Sequence, residues 1–260
     1  MMKIENQDWR NWFRQIGNGL VELIFPPPQL CPVCNHEESV NNGLGSNCLR
    51  RIAFIRQPFC LKCGRPKRLA AAEKEYCRQC EETDYYFSQA RAVAAYEGAL
   101  REYLTDLKYR FRPDLGPALG VLLVEWFKIN RNYQKPDLII PIPIHWQKLI
   151  ARGYNQAELL ANPLQKYLGI PLKNDIILRE KMTESQNMLQ KAERFANIRG
   201  AFRVTDTRLL SGARVLLIDD IFTTGATVSE ASRVLMRAGA LEVKVLTLAG
   251  GVLDSEWVTN

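Results

Sequence analysis

Two adjacent carboxylates at the end of an apolar segment are the residues of this sequence whose chemistry is easiest to name. The stretch RVLLIDDIFTTGATVSE runs from Arg214 to Glu230, and Asp219 and Asp220 close its apolar part. The loop that follows consists of small residues, Thr223, Thr224, Gly225, Ala226 and Thr227. Two carboxylates could bind a sugar diol or a magnesium ion, and a loop entering a helix N-terminus could hold a phosphate. The stretch therefore predicts a site for a ribose 5-phosphate group.

This spacing matches neither of two well-known nucleotide-binding loops. A P-loop needs GxxxxGK[ST], and a dinucleotide-binding turn needs GxGxxG. A simpler interpretation is a capped turn between strand and helix, with solvated carboxylates. In open α/β sheets, however, ligands bind beyond the carboxyl ends of the strands, and Asp219 and Asp220 are expected at such an end.

The cysteines form a second group of candidate functional residues. Of the seven, six lie in pairs with C-x2-C spacing: Cys31 and Cys34, Cys60 and Cys63, Cys77 and Cys80. Such a pair on a tight turn directs two thiolates at one tetrahedral ion. The last two pairs are predicted to close one four-cysteine zinc ribbon, with redox chemistry or inert buried thiols as the alternatives.

The remaining thiols supply only three ligands for another zinc site, namely Cys31, Cys34 and Cys48. His36 is the nearest candidate for a fourth ligand, although a lone histidine is more often a surface or packing residue. The site could instead be open, with three ligands, or empty. Because this segment has little apolar material, a bound zinc ion would contribute folding energy directly.

Beyond the cysteine-rich segment, short apolar runs typical of strands alternate with segments whose apolar residues have helical spacing. Strands are expected in ARAVAAYEG, DLIIPIPI, NDIILRE, VLLIDD and VKVLTLAG, and helices in ALREYLTDLKYR, LGPALGVLLVEWFKI, NQAELLANPLQKYLG and GATVSEASRVLMRAG. Pro163 should kink or shorten its helix. Nearly continuous apolar strands separated by helices indicate an α/β fold, a parallel sheet with helices on both faces.

Three regions are predicted: an N-terminal amphipathic helix over 1–25, a zinc ribbon over 26–85, and an α/β domain over 86–260. The chain has 260 residues, of which 47% are hydrophobic and 24% charged, as is ordinary for a globular protein. Its net charge of +7 favours polyanionic partners such as nucleotides, pyrophosphate or nucleic acid. With no signal-peptide pattern and no run of apolar residues long enough for a membrane span, a cytoplasmic location is expected.

The segment VLLIDDIFTTGAT closely resembles the phosphoribosyl diphosphate (PRPP) binding motif of type I phosphoribosyltransferases. Two other segments, IIPIPIHWQKLIARGYNQAELLA and LREKMTESQNMLQKAERFANIRGAF, resemble the ComF (GntX-like) competence family, whose members carry a zinc ribbon before a phosphoribosyltransferase domain. The resemblance extends from about Cys31 to Gly250. It implies a type I phosphoribosyltransferase fold, structural zinc, magnesium bound with PRPP, and a role in DNA uptake, natural transformation or the use of external DNA.

The resemblance also assigns roles by position. Asp219 and Asp220 would contact the ribose hydroxyls, directly or through magnesium, and with Arg152 they are the catalytic candidates. The loop from Thr223 to Thr227 would hold the 5-phosphate, and the loop ending at Arg152 and Gly153 would face the pyrophosphate. A polar segment matches the mobile loop that closes over the substrate in this fold, with Arg179, Lys181, Thr183, Gln186 and Arg194 as its polar candidates. Lys108 is a weaker candidate, since a lysine at a helix end is usually a partner of the helix dipole.

Two positions depart from the pattern of the resembled proteins. Gly45 stands where the first cysteine of a further C-x2-C pair is usual, so that Cys48 has no partner. Thr223 stands where purine-salvage relatives commonly have an acid that assists the base. The second departure disfavours salvage of 6-oxopurines and leaves no obvious general base.

Two classes of function follow from these residues. The first is an enzyme that transfers the phosphoribosyl group of PRPP to an unidentified acceptor. The second is a non-catalytic sensor of PRPP or a nucleotide, or an adaptor for single-stranded DNA and for DNA-uptake or recombination proteins, with oligomers possible. Basic and aromatic residues of the ribbon could bind single-stranded DNA or form a solvated face; they are Arg50, Arg51, Arg56, Lys62, Arg65, Lys67 and Arg68, with Phe54 and Phe59.

Overall fold

A computed structural model of the chain describes residues 29–67, 74–130, 133, 135–182 and 191–251. The amphipathic helix predicted over 1–25 lies outside the described residues. So do Arg68, in the basic run of the ribbon, and Thr183 and Gln186, in the predicted mobile loop.

A parallel sheet of four strands organises the C-terminal part of the chain. The strands are β1 (Gln89–Ala95), β2 (Leu138–Pro141), β5 (Arg214–Phe222) and β6 (Glu242–Gly250), in the order β1-β6-β5-β2. Two short antiparallel strands, β3 (Ile177–Arg179) and β4 (Phe202–Val204), form a separate two-stranded sheet. The strand positions confirm the parallel α/β sheet that the apolar runs predict, except that the strand predicted in NDIILRE is β3, which lies outside that sheet and pairs antiparallel with β4.

The described helices cover both faces of this sheet. They are α1 (Ser46–Arg50), α2 (Arg78–Glu82), α3 (Gly98–Tyr109), α4 (Leu115–Ile129), α5 (Trp146–Arg152), α6 (Gln156–Leu168), α7 (Lys191–Ile198) and α8 (Ala226–Arg237). Among the residues that the structure describes, no helix is both long enough and apolar enough to cross a bilayer.

Successive residues of the central strand β5 face two different cores, because side chains alternate along a strand. Leu216 and Ile218 pack with α3, α4 and α6, whereas Val215 and Leu217 pack with α8. The cysteine-rich segment joins both cores: Cys31 and Cys48 belong to the first, and Cys60 and Cys63 to the second. The ribbon is therefore packed against the sheet domain on both faces.

Helices α4 and α6 approach each other closely at a glycine. A Cβ atom on Gly120 would lie 2.5 Å from the carbonyl oxygen of Leu160 and 3.0 Å from the ring of Pro163. Pro163 lies inside α6, which continues to Leu168, so the predicted shortening of this helix does not occur.

Candidate functional site

Asp219 and Asp220 lie near the carboxyl end of the central strand β5, and both are buried. The Asp220 carboxylate forms an ion pair with the ammonium group of Lys108, at the end of α3. The backbone N–H of Asp220 donates to the Asp219 carboxylate over 2.9 Å. Strand β5 thus holds two carboxylates side by side, with one cation already in contact.

The surroundings of the two carboxyl groups push their pKa values apart. Burial, together with the charge of Asp220, raises the pKa of Asp219 well above its ordinary value. Burial is the largest single influence on Asp220 and opposes its ionisation as well, but the charge and hydrogen bond of Lys108, the hydrogen bond with Asp219 and the charge of Arg152 together lower the pKa of Asp220. Burial also opposes the charge on Lys108, and the attraction of Asp220 outweighs it and raises the pKa of Lys108. Asp219 therefore holds a proton more readily, and Asp220 stays ionised.

Several cations surround this carboxylate pair. Burial is the main cause that lowers the pKa of the Lys148 ammonium. Three neighbouring cations lower it further, namely Arg179, Arg152 and Lys108. A cavity of about 300 Å³ opens among them, lined by Lys108, Tyr109, Phe111, Lys148, Ala151 and Arg152. Such a concentration of positive charge beside two carboxylates suits a ligand that carries both hydroxyl groups and several negative charges.

Helix α5 positions two of these cations, in a stretch where the sequence predicts a loop. The His145 side chain accepts from the N–H of Gln147 and caps the start of the helix. Gly153 follows its end with φ of 80°, and its N–H donates to the Leu149 carbonyl over 2.7 Å. Because Lys148 and Arg152 are four residues apart, they share one face of the helix. Lys148 is not among the predicted site residues, although its spacing from Arg152 is visible in HWQKLIARG.

The loop between β5 and α8 turns at Gly225, where φ is 80°. A Cβ atom there would lie 2.7 Å from the Phe222 ring and 2.9 Å from the Tyr85 ring, so both the backbone conformation and the space require glycine. The N–H of Ala226 donates to the Thr224 hydroxyl over 3.4 Å. Helix α8 begins at Ala226, and the first N–H groups of a helix lack acceptors within it. The loop can therefore present backbone donors to an anion.

Residues of the ribbon hold this loop from outside. The Thr224 carbonyl accepts from the Tyr85 hydroxyl over 2.7 Å and from the Gln79 amide over 2.9 Å. The Thr223 carbonyl accepts from the Arg65 guanidinium, which also donates to Gln79. Arg65 and Gln79 are both buried. Arg65 is thus a structural clamp on the loop, which corrects its prediction as a DNA-binding or solvated cation.

The thiols predicted to close a zinc ribbon come together in the structure. The sulfur atoms of Cys60, Cys63, Cys77 and Cys80 all lie within 4.8 Å of one another. The Cys63 and Cys77 sulfurs are 3.7 Å apart, close to the edge of about 3.8 Å expected for a tetrahedron with Zn–S bonds of about 2.3 Å. These four residues fit a structural zinc ion.

Three other thiols, those of Cys31, Cys34 and Cys48, also lie within 4.8 Å of one another. His36 is exposed and lies outside this group, so the structure does not bring the predicted fourth ligand to the three thiols. Backbone hydrogen bonds join Cys31 to Glu37 and Asn35 to Cys31, so the turn closes on itself and leaves His36 at its rim.

Comparison with known proteins agrees with both parts of this architecture. A family model described as a double zinc ribbon domain matches residues 20–81, and one described as a phosphoribosyl transferase domain matches residues 127–252. The fold and the two sites thus define a class of protein in which a double zinc ribbon precedes a phosphoribosyltransferase domain.

Curated relatives narrow the class to one family. DNA utilization protein YhgH of Salmonella typhimurium is 31% identical over 225 residues, covering 85% of this chain and 96% of the relative. Competence protein F of Haemophilus influenzae is 31% identical over 212 residues, covering 80% and 90%. Competence protein ComFC of Bacillus subtilis is 30% identical over 210 residues, covering 78% and 82%. The chain belongs to this family of competence protein F, ComFC and YhgH.

Proposed function

We propose that this protein binds PRPP together with magnesium at the carboxyl end of β5, and that it does so in the competence or DNA-utilization process for which its relatives are named. One observation carries the proposal: Asp219, Asp220 and the loop before α8 follow one another at the end of β5, and Lys108, which lines the cation-rich cavity, forms an ion pair with Asp220. PRPP carries a diol, a pyrophosphate and a 5-phosphate, which are the three groups that such a site would bind.

Each part of the site has a partner on this ligand. The loop from Thr223 to Thr227 would bind the 5-phosphate through N–H groups and hydroxyls. Asp219 and Asp220 would accept hydrogen bonds from the ribose hydroxyls, and their oxygens are ligands of the kind that magnesium prefers. Magnesium, when bound, would neutralise part of the pyrophosphate charge. Lys148 and Arg152 would face the pyrophosphate from helix α5.

The same arrangement supports phosphoribosyl transfer. In that reaction the bond from C1 of ribose to pyrophosphate breaks, pyrophosphate leaves with the electron pair, and an acceptor atom forms the new bond to C1. Fixed cations at Lys148 and Arg152 would stabilise the charge that develops on the departing pyrophosphate. A PRPP sensor would use the same contacts without turnover, so pyrophosphate release in the presence of an acceptor distinguishes the enzyme from the sensor.

Binding of PRPP is expected to depend on the two aspartates. In calorimetric titration of the zinc-replete protein with PRPP and magnesium, the D219N/D220N double variant should bind about 100-fold more weakly or not at all, because amides replace both carboxyl groups that would hold the ribose hydroxyls and magnesium. The control is D206N, since Asp206 is a half-buried surface carboxylate paired with Arg208. Equal affinity of the wild type and the double variant, or no binding by folded wild type, would contradict the proposal.

The cellular setting follows from the ligands. Zinc-binding thiolates and PRPP both fit the reducing cytoplasm, and we place the protein there. Its described cysteines form no disulfide.

Contact between the ribbon and single-stranded DNA is the second candidate function, and Arg50, Arg56 and Phe54 favour it because all three side chains are exposed. Arg50 also donates to the Asn47 side chain, and other cations of the predicted run have partners elsewhere in the protein. Arg51 pairs with Glu102, and Lys67 donates to the Lys74 carbonyl. The candidate surface is therefore smaller than the sequence predicts.

If this surface binds DNA, single-stranded oligonucleotides should bind with an affinity that falls as salt rises. The R50A/R56A variant should bind about tenfold more weakly and show a shallower salt dependence, since two phosphate contacts are removed. Fluorescence anisotropy across a salt series measures both. A K128A variant, altered at an exposed lysine of α4, is the control, and an equal loss in the two variants would exclude a role for this surface.

A further inference from the structure

The Glu37 side chain occupies the place where a cysteine at position 45 would project. The other C-x2-C pairs of the chain make position 45 the missing partner of Cys48, and that position is Gly45. A Cβ atom on Gly45 would lie 2.3 Å from Cγ and Cδ of Glu37 and 2.4 Å from its Oε1. The backbone of Gly45, with φ of −69° and ψ of 158°, is open to any residue. The glycine therefore makes room for the Glu37 carboxylate.

The Glu37 carboxylate is held in that place by several donors. It accepts from the N–H of Asn47 over 3.1 Å and from the N–H of Cys48 over 3.3 Å, at the start of helix α1. The hydroxyl of Ser46 donates to it over 3.3 Å. These two backbone N–H groups, which point at one anion, would bind a thiolate at position 45 in the same way. Here those groups orient a carboxylate instead.

The carboxylate also lies close to one of the three thiols, that of Cys34. Glu37 Oε1 is 3.8 Å from the Cys34 sulfur. A tetrahedral ion with a Zn–S bond of about 2.3 Å and a Zn–O bond of about 2.0 Å would separate these two atoms by about 3.5 Å. The sulfurs of Cys31, Cys34 and Cys48 already form a compact group. The Glu37 oxygens lie outside this 4.8 Å group, and a rotation of the Glu37 side chain towards the Cys31 and Cys48 sulfurs would complete four ligands.

We propose that Glu37 is the fourth ligand of the first zinc site, so that this site is a three-cysteine, one-carboxylate centre. Three thiolates and one carboxylate carry the same total charge as four thiolates, so the exchange leaves the net charge of the occupied site unchanged. Glu37 alone among the neighbouring acidic residues reaches the place of the missing thiol, since Glu38 is exposed and bonds through its backbone on the other side of the turn.

The test compares E37Q with E38Q in the full-length protein. Glutamine keeps the shape and one acceptor oxygen for the α1 N–H groups but is a poor zinc ligand. Zinc per chain is measured by mass spectrometry after dialysis against a graded series of chelator concentrations. The wild type and E38Q should retain two zinc ions, whereas E37Q should release one of them at a chelator concentration on the order of 100-fold lower.

A rescue variant separates ligation from helix capping. E37A/G45C removes the carboxylate and supplies the missing thiol, so it should recover two zinc ions per chain. In cobalt-substituted protein it should show stronger sulfur-to-cobalt charge-transfer absorption than the wild type, because four thiolates replace three. If E37Q keeps both zinc ions at every chelator concentration and its cobalt spectrum matches that of the wild type, Glu37 is only the cap of helix α1 and the proposal is overturned. If E37Q fails to fold, the rescue and wild-type cobalt spectra decide, and identical spectra would also overturn it.

Discussion

Loss of zinc from the site of Cys60, Cys63, Cys77 and Cys80 is expected to weaken PRPP binding at least tenfold, although the proposed ligand contacts none of these cysteines. The reason lies in two side chains that the zinc turns carry. Gln79 lies between Cys77 and Cys80, and Arg65 lies two residues after Cys63. Both donate to backbone carbonyls of the loop proposed to bind the 5-phosphate. Without the metal these side chains lose their fixed positions, and the loop loses its outer support.

The R65M variant tests the contribution of Arg65 separately from that of the zinc ion. R65M keeps every zinc ligand but removes the donors to the Thr223 carbonyl and to Gln79. It should retain its zinc and bind PRPP about 10- to 100-fold more weakly, as expected when buried acceptors lose a charged donor. The control is R56M, because Arg56 is an exposed cation of the same ribbon. Calorimetric titration and zinc analysis on the same samples make the comparison.

Two outcomes would contradict the coupling of ribbon and loop. One is PRPP affinity in R65M equal to that of R56M. The other is PRPP affinity that survives complete removal of zinc from a protein whose circular dichroism is unchanged. Either would mean that the loop holds its conformation through Gly225 and helix α8 alone.

Local patterns in the sequence predict the parts of the site that lie close together in the chain. The run VLLIDD is a buried strand, its carboxylates lie near its end, and the following turn leads into α8, because strand, loop and helix are consecutive. The C-x2-C spacing likewise predicts the four-thiol group, since each turn fixes its own two sulfurs. In both cases the interactions that define the feature are short-range.

The clamp and the ion pair depend on contacts that spacing does not encode. Arg65 and Thr223 are 158 residues apart in the chain, so a cation in a basic run gave no sign of its buried partner. Lys108 lies in the last turn of α3, where the helix dipole alone would explain it. Its partner Asp220 is on another element, and only the packing of α3 against the sheet brings the two together.

Glu37 illustrates a third reason why spacing in the sequence does not predict every residue of a site. A missing cysteine at position 45 is visible in the sequence, but the residue that takes its place is eight positions earlier, on the other side of a turn. His36 was the nearer choice by residue type, because imidazole is a common zinc ligand. The hydrogen bonds of α1 select the neighbouring carboxylate instead.

Replacement of Lys108 by methionine is expected to cost about 3–5 kcal/mol of stability at pH 7, since it leaves the buried Asp220 carboxylate without its cation. The pKa of Asp220 is lowered in the wild type, so its ionised form contributes stability above the ordinary pKa of an aspartate, and this contribution is lost as the pH falls through the lowered value. In K108M the charge and hydrogen bond of Lys108 are gone, so burial is opposed only by Asp219 and Arg152 and should raise that pKa. The deficit relative to wild type should therefore be largest near neutral pH and should shrink towards pH 4.

Urea unfolding at several pH values measures this deficit, and two further variants show whether the charge is its cause. K108M/D220N removes both charges and should recover most of the lost stability, yet it should not bind PRPP, because Asp220 is a proposed ligand. K128M alters an exposed lysine paired with Glu125 and should change stability by no more than about 0.5 kcal/mol. If K108M and the double variant are equally unstable at every pH, the lysine acts through packing of its side chain. The carboxylate pair would then not require an internal cation, and Lys108 would no longer belong among the charged groups that prepare the site for its ligand.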